Sequence, residues 1–421
     1  MASAYRNVLK KRNFLLLLLG QVVSQFGDRL GLIALVALIH DRLGASSLGL
    51  AKTMFFALLP VFLINPLAGV YIDRWDKRKT MYISDSIRSL LLLALGLTIV
   101  YMRSLVPLYI MIFLAFCAGR FFIPAKMAII PALVKEKEIF VANSLVSVTA
   151  NIAAILGFGL GGILVERLGP RGGFIIDGFA LMLSALLISA IRIKPHGSFS
   201  GHDLVDLGKD VVKVERSLIN EFKDGLRYLF SRKSTLFSMK IFSLLFACVG
   251  ALYVVLIVFI QKTFGTAVQD VGFFAVALGL GLFIGSLIYG KLADRFSLTR
   301  SIKVMLFISG LFLIIFVVGV KNSPNRFLGW VASFVLGGLI APVVVGCNSL
   351  IHKKSADSYW GRIFSALEVV THFSFVVFMF ITSALAEVFS PFLIIVWVGI
   401  MISVVALIAL LKKDDVTIKG I

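Results

Sequence analysis

Twelve stretches of predominantly apolar residues, each long enough to cross a lipid bilayer, follow one another along the chain. A helix needs about 20 such residues to span the hydrocarbon core. In lipid each backbone N–H must find its partner within its own segment, so the stretches are predicted to be α-helices. We number them spans 1 to 12: 13–39, 50–72, 80–101, 105–124, 141–165, 172–192, 235–261, 270–292, 301–320, 327–351, 362–386 and 389–411.

The composition favours a membrane protein over other classes. Hydrophobic residues make up 59% of the chain and charged residues 15%, whereas soluble domains contain about 45–50% and about 25%. The net charge of +20 would suggest nucleic-acid binding in a soluble chain, but the high content of hydrophobic residues excludes a nucleic-acid module.

The cysteines Cys117, Cys248 and Cys347 lie in apolar stretches and are expected to be small packing residues. No cleavable signal peptide is expected, because the first apolar run is too long.

The distribution of Lys and Arg predicts the orientation. Most of the 42 basic residues lie at the N-terminus, in the links after even-numbered spans and at the C-terminus. The links after odd-numbered spans contain Arg42, Arg103, Arg167, Arg171, Lys262, Lys321 and Arg326. Positive residues favour the cytoplasmic side. Both termini are therefore predicted to be cytoplasmic, in a multi-pass protein of the inner (cytoplasmic) membrane.

The longest break between spans, at 193–234, divides the chain into two sets of six. The predicted domains are an N-terminal six-helix bundle at 1–192, a cytoplasmic linker at 193–234 and a C-terminal six-helix bundle at 235–421. From Leu204 to Phe230 the linker places apolar residues at helical spacing among charged ones. This pattern fits either an amphipathic helix on the inner membrane surface or a solvated linker helix.

The two halves repeat one motif at the cytoplasmic end of their second span. Its members are Gly69, Asp73, Arg74 and Arg78 after span 2, and Gly290, Asp294 and Arg295 after span 8. The two Asp-Arg pairs are 221 residues apart. An Asp that pairs in one conformation only biases the equilibrium between two conformations of the helices. We predict a gating role for the motif; the alternative is a charged turn that only fixes topology.

These residues resemble the major facilitator superfamily signature Gly-x-Leu-Ala-Asp-Arg-x-Gly-Arg-Arg/Lys, with Asp76 where Gly is usual. The segments 122–134, 142–145 and 221–229 are similar to the macrolide-efflux and enterobactin-exporter branch. The segments 25–28, 124–126 and 152–157 also resemble bacterial lysophospholipid transporters. The resemblance implies an all-α polytopic membrane protein, with 12 transmembrane helices in two pseudo-symmetric six-helix bundles around a central cavity.

Ionisable residues inside spans are energetically costly, so by default they line a cavity or pair with one another. The candidates for proton coupling or for the substrate cavity are Gln21, Gln25, Asp28, Arg29, Asp85, Arg88, Arg120, Glu368 and His372. Asp28 shares one face of span 1 with the two glutamines and is the leading candidate. The alternative is a structural ion pair of Asp28 with Arg88 or Arg120.

The roles predicted for the other charged residues involve a single helix or a span end. Asp85 and Arg88 stand at i, i+3 and can pair within span 3, where structural support of the gate is the favoured role. Glu368 and His372 are one turn apart in span 11 and either carry protons or pack. Asp177 and Lys240 lie near span ends, where snorkelling of the side chain is sufficient.

Glycines in spans 5 and 8 are predicted to serve helix packing. Gly157 and Gly161, and likewise Gly281 and Gly285, are spaced four residues apart. Small residues at this spacing let helix backbones approach closely.

The resemblance therefore implies a secondary transporter that exports hydrophobic or amphipathic small molecules (drug, macrolide or siderophore-like), and we expect export to occur in exchange for protons. No enzyme, phosphate-loop or Cys/His metal constellation is present, so no cofactor, metal or enzymatic activity is predicted. The expected partners are the substrate, protons and the bilayer, and no nucleic acid is expected to bind. The protein is expected to be a monomer. The alternatives are a lysophospholipid transporter and a non-transporting membrane sensor.

Overall fold

The computed structural model describes residues 2–65, 75–101, 103–192, 233–292, 297–354 and 360–411. Within these ranges every regular element is a helix. The helices are α1 (Ala2–Leu9), α2 (Arg12–Leu43), α3 (Ser47–Leu63), α4 (Lys77–Thr98), α5 (Val106–Leu133), α6 (Ile139–Ser189), α7 (Lys233–Phe264), α8 (Gln269–Leu292), α9 (Leu298–Asn322), α10 (Arg326–Lys354), α11 (Trp360–Val388) and α12 (Pro391–Leu411). A 3₁₀ turn at Glu136–Glu138 precedes α6.

Each predicted span overlaps a helix of the described ranges, although span 2 is described only in part. Helix α6 contains both span 5 and span 6, which meet at a kink where Gly169 has a φ of 71°. Ten of the described helices are long and apolar enough to cross a membrane, and α3 is a shorter apolar helix of 17 residues. The prediction of an all-α polytopic membrane protein is confirmed.

The predicted ends of spans 2 and 4 are not matched by helix ends at the same residues. Helix α5 continues to Leu133, whereas span 4 was predicted to end at 124, so the following link is shorter than expected. The end of span 2 at 66–74 lies outside the described residues. Residues 193–232 lie outside them as well, and with them the predicted helix of the linker.

The chain divides into two compact units, each with its own buried apolar core. The first comprises Met1–Arg42 and Thr53–Ser217, and the second Leu43–Lys52 and Leu218–Ile421. Core residues of the first unit include Phe14, Leu17, Met81, Ile129 and Ile188. Core residues of the second include Val255, Ile302, Val317, Ile395 and Cys347. The predicted limits of the two bundles and the linker stay a prediction.

Large apolar side chains also cover the outside of the helices. Leu90, Ile110, Leu186 and Ile315 are each more than half exposed. A water-soluble protein rarely exposes contiguous apolar surface on this scale. In a bilayer this exposure has no free-energy penalty, because lipid tails solvate the apolar side chains.

The repeat between the halves extends to the ends of the helices. Gly44 (φ +63°) follows α2 and Gly265 (φ +70°) follows α7, in the left-handed conformation that suits glycine after a helix. Asp76 and Ser297 are the N-caps of α4 and α9, and their side chains accept backbone N–H groups at 2.9 and 3.2 Å. Both pairs are 221 residues apart, the separation of the Asp-Arg pairs. The cap explains why Asp76 is suitable where the signature has glycine.

Candidate functional site

The first unit contains a charged network centred on Arg88. The Arg88 guanidinium pairs with Asp28 of α2 and, at 3.1 Å, with Asp85 one turn earlier in α4. Asp85 is completely buried and also accepts a hydrogen bond of 2.6 Å from the hydroxyl of Ser184 in α6. The network therefore joins three helices.

The two carboxylates of this network differ in access to solvent. The Asp85 side chain is 0% exposed, whereas that of Asp28 is 36% exposed and that of Arg88 is 12% exposed. Asp85 has two polar partners within the protein and serves as a fixed anchor for Arg88. Asp28 is the solvent-accessible end of the network.

A cavity of about 280 Å³ lies beside the network and is lined by residues of the first unit. Its charged and amide lining residues are Gln25, Asp28, Arg29, Arg88, Arg120 and Asp177. Apolar side chains, among them Leu35, Ile112, Phe116 and Phe174, line the rest. The lining of the cavity is suited to a molecule with an apolar body and a charged group.

Asp177 does not reach the membrane interface by snorkelling. That prediction from the sequence is wrong. Its side chain is 3% exposed and its carboxylate lies against Gly27 and Gly31 of α2, where a Cβ would overlap it. Sequence position near a span end suggested access to water, but the packing of α6 on α2 covers the residue. A signal was present in the two glycines, spaced four residues apart on α2.

Lys126 is a second buried charge that the sequence reasoning did not single out. It is 5% exposed, and Asp28 is its electrostatic neighbour. The continuation of α5 beyond the predicted end of span 4 places it inside a membrane helix. The visible signal was a single Lys between apolar residues on both sides.

The remaining candidates of span 1 have distinct environments. Gln21 is buried, and its amide nitrogen donates to the carbonyl oxygen of Val146 in α6 at 2.8 Å, so it connects two helices. Arg29 lines the cavity, with its guanidinium 5.4 Å from the ring centroid of Phe158. Gln25 lines the cavity together with Asp28.

Glu368 and His372 lie in the second unit, on α11. The Nδ1 of His372 is 2.9 Å from the backbone oxygen of Glu368, a contact within one helical turn. The imidazole also packs on the ring of Phe246, with centroids 5.8 Å apart. Lys240, also in the second unit, is exposed, and its snorkelling stays a prediction.

Most of the predicted gating residues, namely Gly69, Asp73, Arg74, Asp294 and Arg295, lie outside the described residues. Arg78 donates a hydrogen bond of 2.7 Å to the carbonyl oxygen of Ile191, just beyond the C-terminal end of α6. A cation is favourable at a helix C-terminus, which carries partial negative charge. Gly290 lies in the last turns of α8, with open space where a Cβ would be.

The predicted packing glycines lie at close helix crossings within each unit. A Cβ on Gly157 would be 2.9 Å from the carbonyl oxygen of Phe26 in α2, and one on Gly161 would be 3.2 Å from the Cα of Leu30. In the second unit, Cβ atoms on Gly281 and Gly285 would overlap the backbone of α10 at Phe334 and Gly338. Each pair allows backbone-to-backbone contact.

Comparison with known proteins agrees with this architecture. The Major Facilitator Superfamily model matches residues 17–261 and 241–420. The MFS-type transporter YkuC of Bacillus subtilis (strain 168) is 29% identical over 374 residues, which is 85% of this chain and 81% of YkuC. Macrolide efflux protein A of Streptococcus pyogenes is 24% identical over 370 residues, 84% of each protein.

A solved structure shows the same fold at low sequence identity. The inward-facing crystal structure of a bacterial homologue of the iron transporter ferroportin superposes with a TM-score of 0.71 and 15% identity, and covers 95% of this chain and 99% of that one. Together with the apolar helices and the repeated halves, the family match leads to one conclusion. The chain is a multi-pass membrane protein that belongs to the major facilitator superfamily of transporters.

Proposed function

We propose that this protein is a secondary active exporter, which moves hydrophobic or amphipathic small molecules out of the cell in exchange for protons by alternating access. It acts in the inner (cytoplasmic) membrane with both termini in the cytoplasm and has no enzymatic activity. The observation that carries the proposal is the Asp28–Arg88–Asp85 network beside a cavity with both apolar and charged lining.

The coupling role of Asp28 is supported by the asymmetry of the network. Arg88 has one permanent partner in buried Asp85 and one accessible partner in Asp28. Contact of Asp28 with a cationic group of the substrate weakens the attraction between Asp28 and Arg88. The arginine then changes its position relative to α2, which links a local charge change to helix arrangement.

The substrate class is supported by the cavity and by one relative. Aromatic and aliphatic side chains line the cavity beside the charged groups, as a pocket for an amphipathic molecule requires. Macrolide efflux protein A shares 24% identity across most of both chains, and its name states an efflux activity toward macrolides.

Gating is assigned to the repeated Asp-Arg motifs. Arg78 of the first motif forms a hydrogen bond with α6.

The test is transport in proteoliposomes that contain the purified full-length protein, with and without an imposed pH gradient. Labelled erythromycin and a labelled lysophospholipid are supplied in parallel. We expect accumulation of erythromycin that depends on the gradient and is abolished by a protonophore. Asp28→Asn should remove the gradient dependence, whereas Asp41→Asn, which changes an exposed carboxylate on the same helix, should leave it intact.

The outcomes separate the alternatives. Erythromycin movement at equal rates with and without the gradient would argue against proton exchange. Transport of the lysophospholipid alone would favour lipid translocation. Transport of neither probe would overturn export of this class and favour the sensor.

A further inference from the structure

Asp177 is packed closely against two glycines in the first unit. Its carboxylate lies over Gly27 and Gly31, one helical turn apart on α2, and any larger side chain there would overlap it. The side chain is 97% buried, being 3% exposed, and it lines the same cavity as Asp28. The two glycines therefore bring this carboxyl group into the interior next to the network.

The hydrogen bonding of Asp177 is incomplete. In the described part of the chain, its Oδ1 is buried without a hydrogen-bond partner. Arg88 already holds Asp28 and Asp85, so one guanidinium faces three carboxyl groups. The charged groups that the neighbouring helices bring to this region are Asp28 and Arg29 on α2, Asp85 and Arg88 on α4, and Arg120 and Lys126 on α5.

Two of the other cations, Arg29 and Lys126, have partners elsewhere. Arg29 lies over the Phe158 ring, and the electrostatic partner of Lys126 is Asp28. The charged neighbours of Asp177 itself are Asp28, Arg88 and Asp85, two of which repel a carboxylate. A buried carboxylate with an oxygen that lacks a partner is far less stable than the neutral acid.

We propose that Asp177 is the proton-carrying group of the exporter and that amphipathic amines are its substrates; this rests on the proposed function. While Arg88 bridges Asp28 and Asp85, Asp177 stays protonated. When the ammonium group of a substrate pairs with Asp28, Arg88 is freed to pair with Asp177. The Asp177 O–H bond then breaks, its electron pair remains on the carboxylate, and the proton passes to water in the cavity.

This exchange conserves charge. One ammonium enters the site and one proton leaves it, while the carboxylate of Asp177 replaces that of Asp28 as the partner of Arg88. Asp28 is thus the substrate-responsive residue and Asp177 the residue that stores the proton. The close packing of Asp177 against Gly27 and Gly31 keeps its carboxyl group buried.

The first test is infrared spectroscopy of the purified full-length protein at pH 7, at which ordinary carboxyl groups are ionised. We expect a C=O stretching band of a protonated carboxyl group in the wild type and in Asp41→Asn, and its loss in Asp177→Asn. Absence of the band from the wild type, or its persistence in Asp177→Asn, would overturn the proposal. The wild-type spectrum decides even if that variant does not fold.

A glycine pair provides a second, milder perturbation. A methyl group at Gly31 would displace the Asp177 carboxylate, whereas one at Gly20 would press on the apolar Ile188 at the same crossing of α2 with α6. We expect Gly31→Ala to weaken the band and the gradient dependence, and Gly20→Ala to retain both. Equal effects of the two variants would contradict the assigned packing of Asp177.

Erythromycin, an amphipathic amine, tests the exchange itself. Its addition to the wild type in weak buffer should reduce the infrared band and release about one proton per bound molecule, and neither change is expected in Asp177→Asn. If erythromycin is transported on a pH gradient but leaves the band unchanged, Asp177 is not the proton carrier. If no gradient-driven transport occurs while the band behaves as expected, the exporter function fails and the protonation of Asp177 stands.

Discussion

Replacement of Arg88 by Met would leave the buried carboxylate of Asp85 without its cation. Asp28 is partly exposed and can be solvated, but Asp85 is 0% exposed and would retain only the hydroxyl of Ser184. Loss of one partner from a buried pair costs about 3–5 kcal/mol. The chain can limit this loss by protonating Asp85.

The cost of that protonation sets the expected magnitude. An ordinary Asp has a pKa of about 3.9, and one pH unit corresponds to about 1.36 kcal/mol, so placing a proton on it at pH 7 costs about 4 kcal/mol and at pH 5 about 1.5 kcal/mol. We therefore expect Arg88→Met to destabilise the protein by up to ~4 kcal/mol at pH 7 and by much less at pH 5. Stability in the variant is lost as the pH rises, because the proton must be held against a growing free-energy cost.

Thermal unfolding of the detergent-solubilised protein measures this effect. For a unit of this size, about 2–4 °C of Tm corresponds to 1 kcal/mol, so a decrease of about 8–16 °C is expected at pH 7. The double variant Arg88→Met with Asp85→Asn should recover most of the decrease, because no buried charge remains. Arg167→Met removes an exposed cation and should change the stability by less than ~0.5 kcal/mol.

The reasoning would be refuted if Arg88→Met were no more harmful than Arg167→Met. It would also be refuted if the Asp85→Asn substitution gave no recovery, because the damage would then come from lost packing. A decrease of Tm that did not depend on pH would exclude protonation of Asp85 as the limiting cost.

Three further substitutions test the helix ends and crossings by thermal unfolding in detergent. Asp76→Ala should cost about 1 kcal/mol through loss of the N-cap, whereas Asp76→Asn should be nearly neutral; equal effects would contradict the capping role. Gly281→Ala should separate α8 from α10, because its methyl group would overlap the carbonyl oxygen of Phe334, whereas Gly279→Ala meets open space and should gain up to ~1 kcal/mol of helix propensity; equal effects would remove the packing argument. Gly265→Ala forces a Cβ into a left-handed conformation and should cost about 1–2 kcal/mol, and a neutral result would contradict it.

The sequence was sufficient for the fold class because membrane insertion depends on local properties. Apolar length, breaks and basic links can be counted along the chain, and each predicted span overlaps a helix of the described residues. The repeated motif predicted the two halves, and the structure adds the N-caps Asp76 and Ser297 at the same separation. The pairing of Asp85 with Arg88 followed from their i, i+3 spacing.

Contacts between helices were harder to predict, because they depend on the rotation and tilt of each helix about its own axis. Pairing of Asp28 with Arg88 rather than Arg120 was left open by the sequence, and the structure selects Arg88. Asp177 was misplaced because its distance from the span end was a poor guide to burial. Lys126 was missed because span 4 was predicted to end before it.

The sequence by itself determined that this chain is a twelve-span helical membrane protein with two repeated halves, because hydropathy and charge act on each segment separately. Only the tertiary structure decided that Asp28, Arg88 and Asp177 line one cavity, and that Asp85 pairs with Arg88 beside it. The physical reason is that glycines on one helix make room for a carboxyl group on another, a match that no single segment specifies.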